Sequence, residues 1–332
     1  MSTYLAQIAP QRSTQYASLA GALAPHELEL CPAVKGISKL GPVTLAGQAY
    51  LKFDLPTPLD EAARRELGML AMTSAFFDYR DSLPDEPGPW LRPVETGYTP
   101  AISPEMVTTR RYKGKTNELF THFLCNVARD SSGFASQPWS DLRVFDPLSG
   151  GGTTLFVALM LGANGVGIEK DLNDVKSTAT FIEQYAREEG IACAVKEERL
   201  KKLGRRWWFM LGKELPRQCV LISGDTAQAA DLMTNVKRPN LLVTDLPYGI
   251  QHRGELRGLL GAALPVWAEL LLPAGAMALA WESTRFTREE MIELVKSVCA
   301  LTVLDEPPYN QLVHRVDRVI KHRDVLVLRK SG

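Results

Sequence analysis

The stretch VFDPLSGGGTTLFVALMLGANGVGIEKD, residues 144–171, decides the fold of this 332-residue chain. A short apolar run ends in Asp146, a glycine turn follows at 150–152, and a helical apolar pattern covers 153–161. The next apolar run ends in the acid Glu169. Strand, glycine turn, helix, strand and acid in this order are typical of one half of a nucleotide-binding sheet. The pattern predicts that the glycine backbone passes close to a ligand and that Glu169 binds two ribose hydroxyls.

The alternation of strand and helix patterns continues toward the C-terminus. We predict strands at 142–146, 165–169, 219–223, 240–245 and 275–281. We predict helices at 153–161, 173–189, 226–235, 255–271 and 287–299. Two apolar runs around a polar turn, 313–320 and 324–328, predict a closing hairpin. The fold class that follows is α/β, with a doubly wound, mostly parallel sheet that ends in a C-terminal antiparallel hairpin.

The region before this sheet predicts a separate, smaller domain. Residues 1–80 have the pattern of a small α/β accessory domain, in which 59–79 is expected to be one long helix. Such a domain either recruits the substrate or acts as a lid or packing element. Residues 81–109 contain six prolines, so we predict a proline-rich linker with no central strand. The main domain is expected over 110–332.

Composition excludes several classes of protein. Lys and Arg number 38, as do Asp and Glu, so the formal net charge is zero and a strong non-specific nucleic-acid binder is not expected. A local basic face stays compatible with this balance. The five cysteines and five histidines have no metal-ligand spacing, so we predict reduced thiols and no metal site. The chain shows no signal-peptide pattern and no apolar run of membrane-spanning length, which predicts a cytoplasmic protein without a membrane partner.

One segment, residues 194–217, lies outside the regular alternation. It carries six basic residues followed by Trp207, Trp208 and Phe209. Basic residues interleaved with aromatic ones are able to grip phosphates and stack bases. The alternative is a solvated charged helix whose tryptophans pack on the body of the protein or on a second subunit.

A second motif, TDLPYG at 244–249, follows an apolar strand directly. An exocyclic amine on a base is a poor nucleophile because its lone pair is delocalised into the ring. The carboxylate of Asp245 and the main-chain carbonyl of Leu246 can accept its two hydrogens, which favours the pyramidal geometry that frees the lone pair. Pro247 stiffens the turn, so the acceptors are in place beforehand. Tyr248 can stack on the base, a contact worth about 1–3 kcal/mol.

These two motifs resemble those of a known family. DPLSGGGTT at 146–154 resembles the DPFxGxGT motif of S-adenosylmethionine-dependent methyltransferases, and DLPY at 245–248 resembles the (D/N)PPY motif of their amino-methylating branch. The resemblance covers roughly residues 110–330. It implies a Rossmann-like methyltransferase sheet, S-adenosyl-L-methionine as the cofactor, and methyl transfer by direct in-line displacement. Leu246 stands in place of the first proline of the usual pair, where only a main-chain carbonyl is needed.

The same resemblance implies the residues that bind the cofactor. They are Thr116, Asp146, Gly150, Gly152, Thr153, Glu169 and Asp225. Gly150 and Gly152 would approach the methionine part, and Glu169 the ribose hydroxyls. Asp225 would contact the adenine amine. The hydroxyl of Thr116, with the N-terminus of the helix that follows it, would meet the methionine carboxylate.

Helix capping is the structural alternative for two of these residues, Thr116 and Asp225. For Asp171 we expect capping of the helix that starts near residue 172 rather than a cofactor contact.

The form of the second motif, DLP-aromatic-Gly, is similar to that of the THUMP-linked tRNA guanosine-N2 methyltransferase group. This similarity implies a nucleic-acid partner, RNA rather than DNA, with the N2 amine of guanine in tRNA as the acceptor. The alternatives are a DNA adenine or cytosine amino-methyltransferase, methylation of a small-molecule or protein amide, and an RNA-binding partner subunit without turnover. A dehydrogenase is disfavoured because Leu155 replaces the third glycine of GxGxxG, and a P-loop because no Gly-Lys-Ser/Thr follows the glycines.

Overall fold

The computed structural model describes residues 1–10, 18–112, 114–247, 253–316 and 322–332 of the chain. The chain divides into two compact units. The first consists of Met1–Thr99 with Glu306–Arg323, and the second of Pro100–Asp305 with Asp324–Gly332. None of the helices in the described ranges is long and apolar enough to cross a membrane.

In its described residues, the first unit is a sheet with two α-helices. Its elements before residue 100 are β1 (Ser2–Ile8), α1 (Leu19–Leu30), a 3₁₀ turn (Pro32–Val34), β2 (Ser38–Leu45), β3 (Gln48–Leu55), α2 (Glu61–Leu67), β4 (Thr73–Leu83) and β5 (Glu86–Pro93). In the described residues these strands form a five-stranded sheet in the order β2-β3-β1-β4-β5. The pairs β1–β3, β1–β4, β2–β3 and β4–β5 are antiparallel, and β1 lies at the centre of the sheet between β3 and β4.

Two predictions for this region are wrong. The long helix expected over 59–79 ends at Leu67, and Thr73–Leu83 is a strand instead. The carboxylate of the buried Glu27 accepts hydrogen bonds from the amides of Ala71 and Met72, so it binds the backbone donors that a continuing helix would use. The linker expected over 81–109 is wrong for residues 81–93, which complete β4 and form β5. Prolines are tolerated there because β5 is an edge strand.

The second unit alternates strands and helices. Its elements are α3 (Glu105–Thr109), α4 (Glu118–Asp130), a 3₁₀ turn (Trp139–Asp141), β6 (Arg143–Asp146), α5 (Thr153–Leu161), β7 (Asn164–Glu169), α6 (Leu172–Glu188), β8 (Cys193–Leu200), β9 (Gly204–Leu211), β10 (Arg217–Ser223), a 3₁₀ turn (Thr226–Gln228), α7 (Ala229–Leu232), β11 (Leu241–Asp245), α8 (Arg253–Leu270), β12 (Ala276–Glu282), α9 (Arg288–Val298) and β13 (Thr302–Leu304). The last segment of the chain adds a 3₁₀ turn (Tyr309–Gln311) and β14 (His314–Arg315), which belong to the first unit. It also adds β15 (His322–Arg329), most of which belongs to the second unit.

The sheet of the second unit has the doubly wound order that the sequence predicts. Along the described strands the order is β13-β15-β12-β11-β6-β7-β10-β9-β8. The pairs β10–β7, β7–β6, β6–β11 and β11–β12 are parallel. From β6 the chain proceeds to β7 on one side, and β11 is placed on the other. The order therefore reverses between β6 and β11, and ligands of such sheets bind at the carboxyl ends of the strands at this point.

The parallel strands form where the sequence has short, nearly continuous apolar runs. In β6, β11 and β12 almost every residue is buried, as expected for strands covered on both faces. Helix α5 is buried along its whole length and lies between Gly152 and Gly162, both with positive φ, so glycine starts and ends it. The predicted C-terminal hairpin is confirmed as antiparallel pairing of β15. Its partners are β13 and the two-residue β14, while residues 317–320 lie outside the described ranges.

Residues 194–217 do not form the charged helix that was one alternative. Most of the segment belongs to β8 and β9, an antiparallel hairpin that extends the sheet beyond β10. Trp207, Phe209 and Leu211 are buried while Met210 is exposed, so the aromatic residues follow the two-residue period of a strand. The side chains of Trp207 and Phe209 pack on the body of the unit and do not offer a stacking surface.

Candidate active site

A cavity of about 440 Å³ lies at the carboxyl ends of β6, β7 and β11 in the second unit. Seven of the residues predicted from the sequence line it: Thr116, Asp146, Gly150, Thr153, Glu169, Asp245 and Pro247. Its volume is within the range of ligand pockets, about 300–1,000 Å³. The two motifs, about a hundred residues apart in the chain, therefore face one cavity at the point where the strand order reverses.

The glycine turn forms one wall of this cavity and depends on glycine in two ways. Gly150 has φ +48° and Gly152 has φ +90°, a region that side-chain-bearing residues rarely adopt. A Cβ on Gly151 would lie 2.4–2.6 Å from three ring atoms of Tyr112. Gly152 does not line the cavity. A Cβ there would meet Thr178 at 3.0 Å and the ring of Phe156 at 3.2 Å, so its small size serves the packing behind the wall.

The turn is held by two residues that the sequence did not indicate as functional, Arg110 and Tyr112. Arg110 Nε donates to the carbonyl of Gly151 at 2.9 Å, and Nη2 donates to Thr178 Oγ1 at 2.9 Å. The hydroxyl of Tyr112 shares a hydrogen bond of 2.6 Å with Thr153 Oγ1. Burial raises the pKa of the Tyr112 hydroxyl and lowers that of the Arg110 guanidinium. No spacing rule points to such contacts, because they join separate elements around the glycine turn.

Glu169, at the end of β7, is fixed on the rim of the cavity. Its Oε2 accepts from the amide of Gly150 at 3.1 Å, and its Oε1 accepts from the amide of Asp171 at 2.8 Å. Each carboxylate oxygen has a second lone pair, so both can accept a further hydrogen bond from a ligand. The arrangement suits a ligand with two neighbouring hydroxyls.

Asp146, at the end of β6, is almost completely buried, with 4% of its surface exposed. Burial raises the pKa of its carboxyl to about 6, although hydrogen bonds from Thr154 and from the amide of Leu148 oppose this shift. The bond from the Leu148 amide to Oδ1 is 3.0 Å long. The neighbouring Asp245 adds to the rise in the pKa of Asp146 because two like charges disfavour each other. An ionised Asp146 would be stabilised by a cationic ligand in the cavity.

The second motif begins at the end of β11, beside Asp146. Thr116 Oγ1 donates to Asp245 Oδ2 at 2.8 Å, which fixes the orientation of this carboxylate. The amide of Leu246 donates to the carbonyl of Ala280 at 2.8 Å, and its side chain is buried in the core. A leucine in place of a proline therefore anchors the turn by packing. Pro247 lines the cavity. Tyr248, predicted to stack on the acceptor, lies outside the described residues.

The capping alternatives have mixed outcomes. Asp171 Oδ1 accepts from the amide of Asn173 at 2.7 Å, so the cap predicted for α6 is confirmed. Asn117, not Thr116, caps α4 through the amide of Phe120. Asp225 is exposed and caps the 3₁₀ turn Thr226–Gln228 through the amide of Ala227 at 3.0 Å. Asp225 is not among the residues that line the cavity.

The N-terminus of α5 adds an anion-binding element to the same wall. The cap residue Gly152 provides no side-chain hydrogen bond, and the first turn contains no acidic residue. The first amides of a helix and the positive end of its dipole favour a negatively charged group. The cavity thus combines an acceptor for hydroxyls, a positive helix end and two aspartates on adjacent strands.

Comparisons with known proteins give likeness of fold. No protein-family model matches the sequence, and no curated protein matches it. Among solved structures, the chain is similar to TrmN from Thermus thermophilus, with 13% identity over 99% of this chain and 100% of that chain and a TM-score of 0.49. It is also similar to the rRNA methyltransferase aviRa from Streptomyces viridochromogenes, with 14% identity over 69% of this chain and 91% of that chain and a TM-score of 0.41. A third similar structure is the T. thermophilus 16S rRNA N2 G1207 methyltransferase RsmC in complex with AdoMet and guanosine. The identity is 15% over 88% of this chain and 58% of that chain, and the TM-score is 0.39.

Proposed function

We propose that this protein is an S-adenosylmethionine-dependent N-methyltransferase that methylates an exocyclic amine of a nucleobase. The observation that carries the proposal is the meeting of the two motifs. The glycine turn with Glu169 and the turn with Asp245 line the same cavity of about 440 Å³ at the reversal of strand order. The first set suits the cofactor and the second suits the amine that receives the methyl group.

The cavity fits S-adenosylmethionine in three respects. Glu169 offers both carboxylate oxygens to the ribose hydroxyls. The uncapped N-terminus of α5 offers amides to the methionine carboxylate. The buried Asp146 carboxylate, when ionised, offers a negative charge to a cation such as the sulfonium. The other members of the predicted set are Thr116, Gly152 and Asp225. Thr116 lines the cavity and donates to Asp245, whereas Gly152 and Asp225 do not line it.

When bound, the cofactor supplies an electrophilic methyl group on a sulfonium. The residues of this chain prepare the acceptor. Asp245, oriented by Thr116, and the main-chain carbonyl of Leu246, held by the bond of its amide to Ala280, accept the two amine hydrogens. During methyl transfer, the Asp245 carboxylate would take up one of the amine protons. Tyr248, which lies outside the described residues, is the residue that we propose to stack on the base and fix its plane.

For the substrate, we propose RNA, with the N2 amine of guanine in tRNA as the acceptor. The form of the second motif, DLPYG, supports this choice, because it is similar to that of tRNA guanosine-N2 methyltransferases. The test incubates the protein with labelled cofactor and separate pools of tRNA, rRNA and DNA, and nucleoside mass spectrometry identifies the methylated base. Methylated guanosine in the tRNA pool is the expected result, and label in DNA alone refutes the RNA assignment.

The Asp245→Ala variant tests the catalytic assignment. We expect turnover to be lost while the Kd for S-adenosylmethionine, measured by calorimetry, stays within a few fold, because Asp245 holds the acceptor and not the cofactor. Native protein that does not bind S-adenosylmethionine would refute every version of the proposed function. Loss of both turnover and cofactor binding in the variant would refute the role given to Asp245.

A further inference from the structure

The turn of the β8–β9 hairpin, residues 199–205, carries a concentration of positive charge on a chain with no net charge. Arg199, Lys201 and Lys202 are exposed, and Arg205 is partly exposed. The acids of the hairpin are engaged further from the turn: Glu197 pairs with Arg205 at 3.1 Å, and Glu198 pairs with Arg206. Within the described residues, Arg199, Lys201 and Lys202 have no ion-pair partner. A basic surface of this kind is the electrostatic footprint of a polyanion.

The strand register places like charges together in this turn. Arg199 and Arg205 are directly opposite each other across β8 and β9. Like charges at such positions destabilise a pair of strands. Only Arg205 has a local acid to offset this repulsion. A negatively charged ligand between the two strand ends would relieve it.

The turn is docked on the sheet and does not project freely. A Cβ on Gly204 would lie 1.7 Å from the carbonyl oxygen of Ser223, so only glycine allows this approach. Leu200 and Leu203 pack against the hydrophobic core of the unit. The two lysines between them therefore face away from the core on a turn whose position is fixed.

The place where the turn docks is the edge that holds the candidate active site. Ser223 ends β10 and is in register with Glu169 at the end of β7. A second cavity, of about 530 Å³, lies there and is lined by residues that include Leu172, Arg199, Lys201, Lys202, Arg205 and Ser223. The basic turn thus lies beside the carboxyl end of β10, one strand away from the acid proposed to bind the ribose of the cofactor.

We propose that residues 199–205 bind the phosphate backbone of the RNA substrate next to the active site. Arg199, Lys201 and Lys202 contact phosphates, while Leu200, Leu203 and Gly204 hold the turn in place. This inference rests on the proposed function for the identity of the polyanion. Trp207 and Phe209 of β9 take no part, because their side chains are buried.

The double variant Lys201→Gln with Lys202→Gln tests the inference. Both side chains are exposed, so the fold is retained. The matched control is Lys237→Gln with Lys296→Gln, which removes the same charge from exposed positions before β11 and near the end of α9, at the opposite edge of the sheet. The probe is a fluorescein-labelled single-stranded RNA of mixed sequence, and its anisotropy is measured over a series of KCl concentrations.

The slope of log K against log salt is negative, and each phosphate contact to a single strand contributes about 0.7 to its magnitude. Loss of two contacts should therefore make the slope shallower by about 1.4. At about 0.1 M salt this slope corresponds to an affinity about 25-fold weaker. The control pair should bind as the native protein does. Equal slopes for the double variant and the control, or native protein that does not bind the RNA, overturn the inference. Calorimetry with S-adenosylmethionine on the same samples is a separate measurement, so failure of the proposed function is distinguished from failure of this surface.

Discussion

Replacing Asp146 with asparagine tests whether the buried acid at the end of β6 opposes folding when it is ionised. Asparagine has the same shape and keeps an oxygen for the amide of Leu148, which donates to Asp146 at 3.0 Å. The substitution removes the charge. Burial raises the pKa of Asp146 to about 6, from an ordinary value of 3.8, so the charged form is the unfavourable one in the folded state.

The sign of the effect follows from proton binding. Between pH 3.8 and about 6 the folded state binds more protons at this site than the unfolded state, so stability falls as the pH rises through this window. The interval between the two pKa values corresponds to about 3 kcal/mol. Below this pH window Asp146 is protonated in both states, so its charge does not affect the free energy of unfolding. Above the window the carboxylate is charged in both states, and the full destabilisation is present. The Asp146→Asn variant lacks this cost at every pH.

We therefore expect Asp146→Asn to be more stable than the native protein at pH 7, by up to about 3 kcal/mol, and to lose this advantage as the pH falls toward 4. Thermal unfolding of both proteins over this pH range measures the difference in Tm. Asp231→Asn, at an exposed acid on α7, is the control for the loss of one charge. A difference in Tm between Asp146→Asn and native protein that does not change with pH would refute the reasoning.

Two further substitutions test the walls of the cavity. Gly151→Ala should lower the free energy of unfolding by about 1–3 kcal/mol, because the added Cβ would lie 2.4–2.6 Å from ring atoms of Tyr112. A Tm equal to that of the native protein would show instead that the ring moves aside. Thr116→Val removes the hydroxyl that donates to Asp245. A hydrogen bond to a charged acceptor is worth about 1.5–3 kcal/mol, so we expect kcat to fall about 10-fold or more. Thr116→Ser keeps the hydroxyl and should retain activity. Single-turnover kinetics measures this loss, and a larger change in cofactor Kd than in kcat would contradict the role given to Thr116.

The parallel sheet was predictable because its strands are short apolar runs, four of which end in an acid. Helix α5 begins and ends at the predicted residues, since Gly152 and Gly162 bound a fully buried stretch that is apolar from Leu155 onward. The helix predicted over 226–235 is shorter, a 3₁₀ turn followed by Ala229–Leu232. Elements covered on both faces are specified by local composition, which a sequence displays directly.

Elements at sheet edges and contacts between distant segments were not predictable. The prolines of β5 argued against a strand. They are compatible with one because β5 lies at the edge of its sheet, where fewer backbone donors are needed than in a central strand. Residues 194–217 are rich in charged residues, and only a few aromatic residues show the two-residue period of a strand. The hairpin was therefore not recognised from the sequence. The contact between Arg110 and the carbonyl of Gly151 has no signal at all, because it depends on the folded path of the chain.

The two aspartates at the ends of β6 and β11 show how neighbouring acids can take different tasks. Asp146 is buried, accepts the amide of its own turn, and has a raised pKa, so it suits electrostatic interaction with a positive group. Asp245 is half-buried and accepts the hydroxyl of Thr116 on a separate segment, so its orientation is set from outside the motif. When the surroundings of two neighbouring acids differ, the acids differ in protonation and in hydrogen bonding, and each suits a different role. Since the two strands are adjacent and parallel, the separation brings a proposed cation site and a proposed amine site to one cavity.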